Sequence, residues 1–169
     1  ITTRLVGSEM CIRDRFLVLG LIQSGLICLG DLYFLGIQCE HPFLFLLAGW
    51  VSSVVYVNII YTFTVSFGDV GKAICVVLLV MQVAGSGGTF PIEVAPEIFQ
   101  KIYPFLPFTH SMTAMRECVA GFYQYTYWAE LGIMCLFLLA SLFLGLVLRK
   151  PVIRLNELFI EKLEDTKLM

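Results

Sequence analysis

Uncharged apolar runs occupy most of the chain and determine its expected architecture. Four stretches contain no Asp, Glu, Lys or Arg: residues 16–30, 41–68, 73–92 and 131–148. A helix needs about 20 apolar residues to cross the roughly 30 Å hydrocarbon core of a bilayer. The pattern therefore predicts an all-α membrane protein with four transmembrane helices, at about residues 16–38, 42–67, 71–88 and 128–148.

The first predicted span contains one acidic residue, Asp31. Thirteen Leu, Ile, Val and Phe residues lie between Phe16 and Ile37. Their favourable insertion free energies together outweigh the unfavourable ~3 kcal/mol of one central Asp. An ionisable residue in a membrane helix is a functional candidate. The structural alternative is that Asp31 lies near the outer boundary and reaches water or Arg116. The sequence leaves both open.

Residues 89–120, between the last two spans, are too polar to cross a bilayer and too apolar for a solvated loop. Glycines allow positive φ and close helix approach, and prolines end helices. Because broken helices at membrane depth need contact with protein or water, we expect a re-entrant hairpin of short helices here. The candidate hairpin and gating residues are Gly85, Gly87, Gly88, Pro91, Pro104 and Pro107.

The segments that flank the membrane domain (residues 16–151) differ from it in composition. Residues 1–15 include VGSEMCIRDR, which resembles a translated sequencing-adapter remnant, and we interpret them as a non-native leader. Residues 152–169 place apolar residues at helical spacing between charges, which predicts an amphipathic helix after a stop at 149–151. Five aromatic residues within 122–128 predict an interfacial girdle before the last span.

The positive charges predict the orientation. Six Lys and Arg residues lie in the C-terminal tail or at Lys72, against two, Lys101 and Arg116, in the opposite loops. Because positive residues concentrate on the cytoplasmic side, we expect a cell-membrane protein with a cytoplasmic C-terminus and external short helices. A net charge of −2 provides no basic face for nucleic acid.

Sequence patterns of catalysis and cofactor binding are missing. The turn at 68–72 lacks the spacing of a phosphate loop. His41 and His110 have no acidic or cysteine partner at metal-ligand spacing. We therefore expect no enzyme activity, no metal and no cofactor.

The remaining polar and thiol residues leave alternatives open. Arg116 and Glu117 are candidate intramembrane polar residues together with Asp31, or they form an internal ion pair. Cys39 and Cys118 fall near span ends, where a disulfide between them is one alternative.

Three motifs in the second half of the chain point to a family. These are GSGGTFP (85–91), PFLPFTH (104–110) and the sequence Met-Arg-Glu (115–117) ahead of Gly121. Together they resemble the C-terminal membrane region of the YhgE/Pip (phage infection protein) family, within the wider ABC transporter type-2 permease group. FGDVGKA (67–73) also fits, whereas His110 stands where the family pattern has an aromatic residue.

The resemblance implies an ABC type-2 permease-like fold in which the last two spans are joined by an external re-entrant hairpin. It implies a C-terminal fragment with the last four of six spans, from a homodimer among membrane lipids that works with a separate cytoplasmic ATP-binding subunit. Export across the bacterial cytoplasmic membrane is then the expected function. The alternative is a non-transporting anchor or scaffold for an extracellular segment, as a phage receptor or a type VII secretion accessory protein.

Overall fold

The structure is a computed structural model of the 169-residue chain. It describes the backbone at residues 2–87, 92, 96–121 and 123–167, and side chains at 12–68, 70–87, 92, 96–121 and 123–145. The helices are α1 (Thr2–Tyr33), α2 (Pro42–Gly68), α3 (Val70–Gly85), α4 (Glu97–Ile102), a 3₁₀ turn (Tyr103–Phe105), α5 (Pro107–Ala120) and α6 (Gln124–Lys167). The described residues contain no strand, and the all-α prediction is confirmed for them.

Three helical segments are long and apolar enough to cross a membrane. They are Ile12–Tyr33, Pro42–Gly68 and Gln124–Gly145, with mean hydropathies of 1.7, 2.0 and 1.9. The shorter apolar helix α3 rises only about 24 Å, less than the ~30 Å hydrocarbon core. A membrane-embedded helical protein is therefore confirmed, while a fourth crossing stays a prediction.

The chain reverses at Gly68, between α2 and α3. Gly68 has φ 58° and ψ −128°, a conformation that glycine adopts at little cost. A Cβ on Gly71 would lie 2.1 Å from the Phe63 carbonyl oxygen, so the helices touch directly after the turn. Ile60 of α2 and Cys75 of α3 line one cavity farther along. Helix α3 therefore runs back along α2.

Small residues bring α1 close to α2. A Cβ on Gly49 would lie 2.5 Å from the Cys28 Sγ, and a Cβ on Gly20 would lie 2.8 Å from the Ser53 Oγ. Apolar side chains gain little by leaving lipid, so membrane helices associate through such close packing. This contact fixes α1 on one side of α2.

Helix α5 packs against α2 and α6 and contributes to the hydrophobic core. The Phe108 ring lies beside Tyr56, with centroids 6.2 Å apart. Tyr56 is 14 residues after Pro42, or about 21 Å along the axis of α2. The core residues come from all four long elements of this region: Cys28, Phe45, Ala48, Ala114, Cys118, Tyr127 and Leu131.

Two predicted helix ends are wrong. Helix α1 ends at Tyr33 rather than near residue 38, because the chain turns at Gly36 (φ 63°). Helix α6 continues past 149–151 to Lys167, because a proline that removes one backbone donor can kink a helix without ending it. The amphipathic and cytoplasmic character of 152–169 stays a prediction.

The predicted leader belongs to α1 in the structure. The helix begins at Thr2 and continues across residue 16 without a break. Arg13 lines a cavity of about 110 Å³ together with Asn58 and Tyr61 of α2. The non-native origin of residues 1–15 stays a prediction.

Candidate functional site

An ion pair joins α5 to α6 in the middle of the candidate hairpin region. The His110 Nδ1 lies 2.5 Å from the Glu130 Oε2, and the His110 Nε2 lies 3.0 Å from the Pro104 carbonyl oxygen. The two side chains are only 11% and 19% exposed. The Phe137 ring packs 5.9 Å from the imidazole. The pair is therefore largely shielded from the surroundings.

The acceptors around His110 determine how many protons the pair holds. The Pro104 carbonyl can only accept, so the Nε2 must carry a proton. The second contact is then either Nδ1–H to the Glu130 carboxylate or a Glu130 hydroxyl to Nδ1. Both arrangements hold one proton between the side chains and give a net charge of zero. An uncompensated buried charge is avoided in either case.

Sequence spacing does not reveal this contact. His110 has no acidic partner at metal-ligand spacing, and Glu130 lies 20 residues away on another helix. A spacing rule covers ligands within one turn or loop and cannot find partners that tertiary packing brings together. The sequence signal for this contact is Glu130, which lies just inside the predicted last span. An ionisable group in a membrane helix needs a partner.

A second polar contact joins α5 to α2. The Ser52 Oγ lies 2.7 Å from the Ala48 carbonyl oxygen and 2.6 Å from the Ser111 Oγ. Because the single Ser52 hydroxyl proton is donated to the carbonyl, Ser111 donates to the Ser52 oxygen. Both serines are buried, so α5 is held at a defined rotation against α2.

The candidate glycine corner meets the hairpin residues at the end of α3. Arg116 donates from its Nη2 to the Gly87 carbonyl oxygen at 3.0 Å, and Gly87 has φ 65°. A Cβ on Gly85 would lie 2.9 Å from the Leu106 Cδ1. The structure thus brings Gly85 and Gly87 against the 106–116 segment. Gly88 and Pro91 lie outside the described residues.

The two candidate prolines begin and support α5. The carbonyl of Pro104 accepts from His110, and the buried Pro107 is the first residue of α5. Proline is favoured at this position because its missing N–H has no partner there anyway. Helix α5 therefore starts at Pro107.

The three candidate intramembrane polar residues lie on two helices, Asp31 on α1 and the adjacent Arg116 and Glu117 on α5. Asp31 is half-buried near the end of α1, and Glu117 is half-buried on α5. The partner of Arg116 is the Gly87 carbonyl, which is neither of the two partners considered from the sequence. Functional roles for these three residues stay predictions.

Cys39 and Cys118 are neighbours as thiols, without a disulfide between them. The Cys39 Sγ donates to the Cys118 carbonyl oxygen at 3.1 Å. Burial raises the pKa of the Cys118 thiol to about 11, with further contributions from Cys39 and Glu117. Cys118 is therefore protonated at neutral pH and is a poor nucleophile.

The predicted aromatic girdle is correct only in part. Tyr123, Tyr125 and Trp128 are exposed, whereas Tyr127 is fully buried. The Tyr127 hydroxyl donates to the Leu44 carbonyl oxygen at 2.8 Å. Tyr127 therefore attaches the start of α6 to the start of α2 and is not an interfacial anchor.

Polar contacts also connect α2 with α6 away from the hairpin. The Asn58 Nδ2 donates to the Ser141 Oγ at 2.6 Å, and Ser141 donates to the Leu138 carbonyl at 2.9 Å. Thr62 adds a longer bond of 3.4 Å to the Ser141 carbonyl. Such bonds stabilise helix contacts within membranes.

Comparison with known proteins gives two matches. The family described as "ABC-2 family transporter protein" matches residues 16–147. The chain is also 31% identical over 119 residues to the uncharacterized protein YhgE of Bacillus subtilis (strain 168). That alignment covers 70% of this chain and 15% of the relative, so the chain spans a small part of its length. No solved structure matches.

Proposed function

Because the chain belongs to the family of ABC-2 family transporter proteins, we propose that it is the C-terminal membrane part of an export permease. The observation that carries the proposal is the family match across residues 16–147, which includes the short helices between α3 and α6. In this proposal α4 and α5 form a re-entrant hairpin on the outer side and gate the exit of the substrate path. Membrane lipids surround the spans.

The packing of α5 supports a gating hairpin. Three polar contacts hold it, and each leads to a different helix or helix end: His110 to Glu130, Ser111 to Ser52, and Arg116 to Gly87. A movement of α5 must break these contacts together. They are therefore the contacts that we expect to differ between the closed and the open exit.

The proposal includes partners and an orientation. Two copies form the permease, and a separate cytoplasmic ATP-binding subunit supplies the energy, as the match to the ABC-2 transporter family supports. The C-terminus lies in the cytoplasm, which the six-to-two excess of Lys and Arg supports. In this proposal the chain corresponds to one part of a longer protein, as its match to 15% of the relative supports.

The test uses the full-length parent, purified from its own host in mild detergent. We expect an ATP-binding subunit to co-purify in a fixed ratio, with ATP hydrolysis that depends on the permease. Glu130→Gln should lower this hydrolysis while the subunit still binds, and Lys101→Ala at an exposed position of α4 is the control. Co-purification of secretion components without any ATP-binding subunit would instead favour the scaffold alternative.

The orientation and the hairpin have separate tests. A reporter fused after Met169 should be active only in the cytoplasm, and an external signal would overturn the orientation. Gly87→Val places a β-branched residue at φ 65°, which side chains rarely adopt. We expect it to reduce membrane yield or activity, and wild-type behaviour would mean that the corner is a simple linker.

A further inference from the structure

A cavity of about 150 Å³ lies between α2, α3 and α5. Apolar side chains form most of its wall, among them Ile60, Leu78 and Phe108. Apolar cavities of about this size stay dry and bind molecules of the size of benzene. The volume thus fits one small ring and is too small for a whole lipid.

One polar side chain that lines this cavity has no partner. Gln82 is only 8% exposed, and its carboxamide has no hydrogen bond to any residue that the structure describes. Buried polar groups are nearly always hydrogen-bonded, so Gln82 indicates a missing partner.

The cavity opens at the surface of the described residues, between α2 and α3. Ile60 and Leu79, which line it, are 52% and 57% exposed, and the neighbouring Val76 and Val80 are exposed as well. A hydrophobic ligand can therefore enter from this surface.

We propose that this cavity binds a small lipophilic phenol or cyclic alcohol. The ring fills the apolar space beside Phe108, and the hydroxyl group pairs with Gln82. A hydroxyl both donates and accepts, and a carboxamide offers both roles in return. The inference goes beyond the proposed permease function, because binding requires neither transport nor the ATP-binding subunit.

The test uses the full-length parent in lipid nanodiscs without nucleotide, labelled with a photoreactive diazirine phenol. We expect saturable labelling of the peptides that contain Leu78 and Ile60. 4-tert-Butylphenol should compete at about three- to tenfold lower concentration than tert-butylbenzene, because one hydrogen bond contributes an affinity difference of this order. Gln82→Leu should remove the difference between the two competitors.

Two matched variants separate binding in the cavity from labelling of the surface. Leu78→Trp fills the cavity and should abolish saturable labelling, whereas Val77→Trp, at a 62% exposed position beside it, should leave labelling intact. Equal competition by both compounds, or non-saturable labelling that is as strong at Val76 and Val80, would overturn the proposal. So would crosslinking of two protomers through Cys75 without any labelling by the phenol.

Discussion

Helix α2 contacts its neighbours through two contrasting faces. Toward α5 and α6 its polar side chains are paired, as Ser52 is with Ser111 and Asn58 is with Ser141. Toward α3 the side chains of α2 border a cavity, and Gln82 of α3 lines it without a hydrogen bond to any described residue. Hydrogen bonds and close packing hold membrane helices together, so the first face fixes the arrangement of helices. The second face has room for a ligand or for movement.

Substitution of Gly71 should have the largest effect, because this glycine of α3 lies directly against the backbone of α2. A Cβ there would lie 2.1 Å from the Phe63 carbonyl oxygen, and backbone cannot move aside as a flexible side chain can. We expect Gly71→Val to lower the free energy of unfolding by about 3 kcal/mol or more and to reduce membrane yield.

Gly132→Val is the control for Gly71→Val. Gly132 lies in α6, and a Cβ there would meet nothing within 4 Å. Yield of both variants is measured by membrane fractionation, and stability by thermal unfolding in detergent. If both variants lost the same free energy of unfolding, the contact at Gly71 would not matter, and the low helix propensity of valine would explain the loss.

Breaking the His110–Glu130 pair between α5 and α6 should have the next largest effect. Glu130→Ala leaves His110 without its partner, and the removal of one member of a buried pair typically destabilises by about 3–5 kcal/mol. We expect a value near the lower end, because the pair carries no net charge. The double variant His110→Ala/Glu130→Ala should recover part of the loss in a thermal unfolding cycle.

The exposed Glu97→Gln on α4 is the control for this cycle and should change stability by less than about 0.5 kcal/mol. Additive losses from the two alanine substitutions would contradict a direct interaction between His110 and Glu130.

The sequence predicts the elements of this fold better than their ends. The long runs without charge correspond to α1, α2 and α6, and the turn at Gly68 follows from GDVGK (68–72). The ends at residue 38 and at 149–151 are wrong, since helix ends depend on single turns and kinks. A proline or glycine changes the local preference without deciding whether the helix continues.

The candidate site was predictable only in its location. Glycines and prolines indicate that the chain breaks near residues 85–107, and the structure brings Gly85 against Leu106. The pairing of His110 with Glu130 depends on how α5 lies against α6, which no local pattern contains. The same holds for Tyr127, since its aromatic neighbours are exposed while its own hydroxyl is bound to Leu44.

A smaller effect is expected from the neutral hydrogen bond between α2 and α6. Asn58→Leu removes the donor to Ser141, and hydrogen bonds between membrane helices contribute about 0.6–2 kcal/mol. We expect a loss of about 1 kcal/mol in unfolding free energy. Thr64→Val is the control, because Thr64 forms no hydrogen bond to another helix among the described side chains. An equal loss in both variants would contradict the assigned role of Asn58.

The smallest effect should have the opposite sign, and we expect it at Gln82 of α3, which lines the cavity. Gln82→Leu removes a buried carboxamide that has no partner among the described residues, and an unsatisfied buried polar group is unfavourable by about 1–3 kcal/mol. Poorer packing of leucine offsets part of this gain. We therefore expect the free energy of unfolding without ligand to stay constant or to rise by about 1 kcal/mol. Thermal unfolding of Gln82→Leu and of Asn58→Leu measures this. Each variant replaces a carboxamide side chain by leucine, one at the cavity and one at the contact of α2 with α6. If Gln82→Leu lowered the free energy of unfolding as much as Asn58→Leu does, the contacts of α2 with α3 and with α6 would not differ in this way.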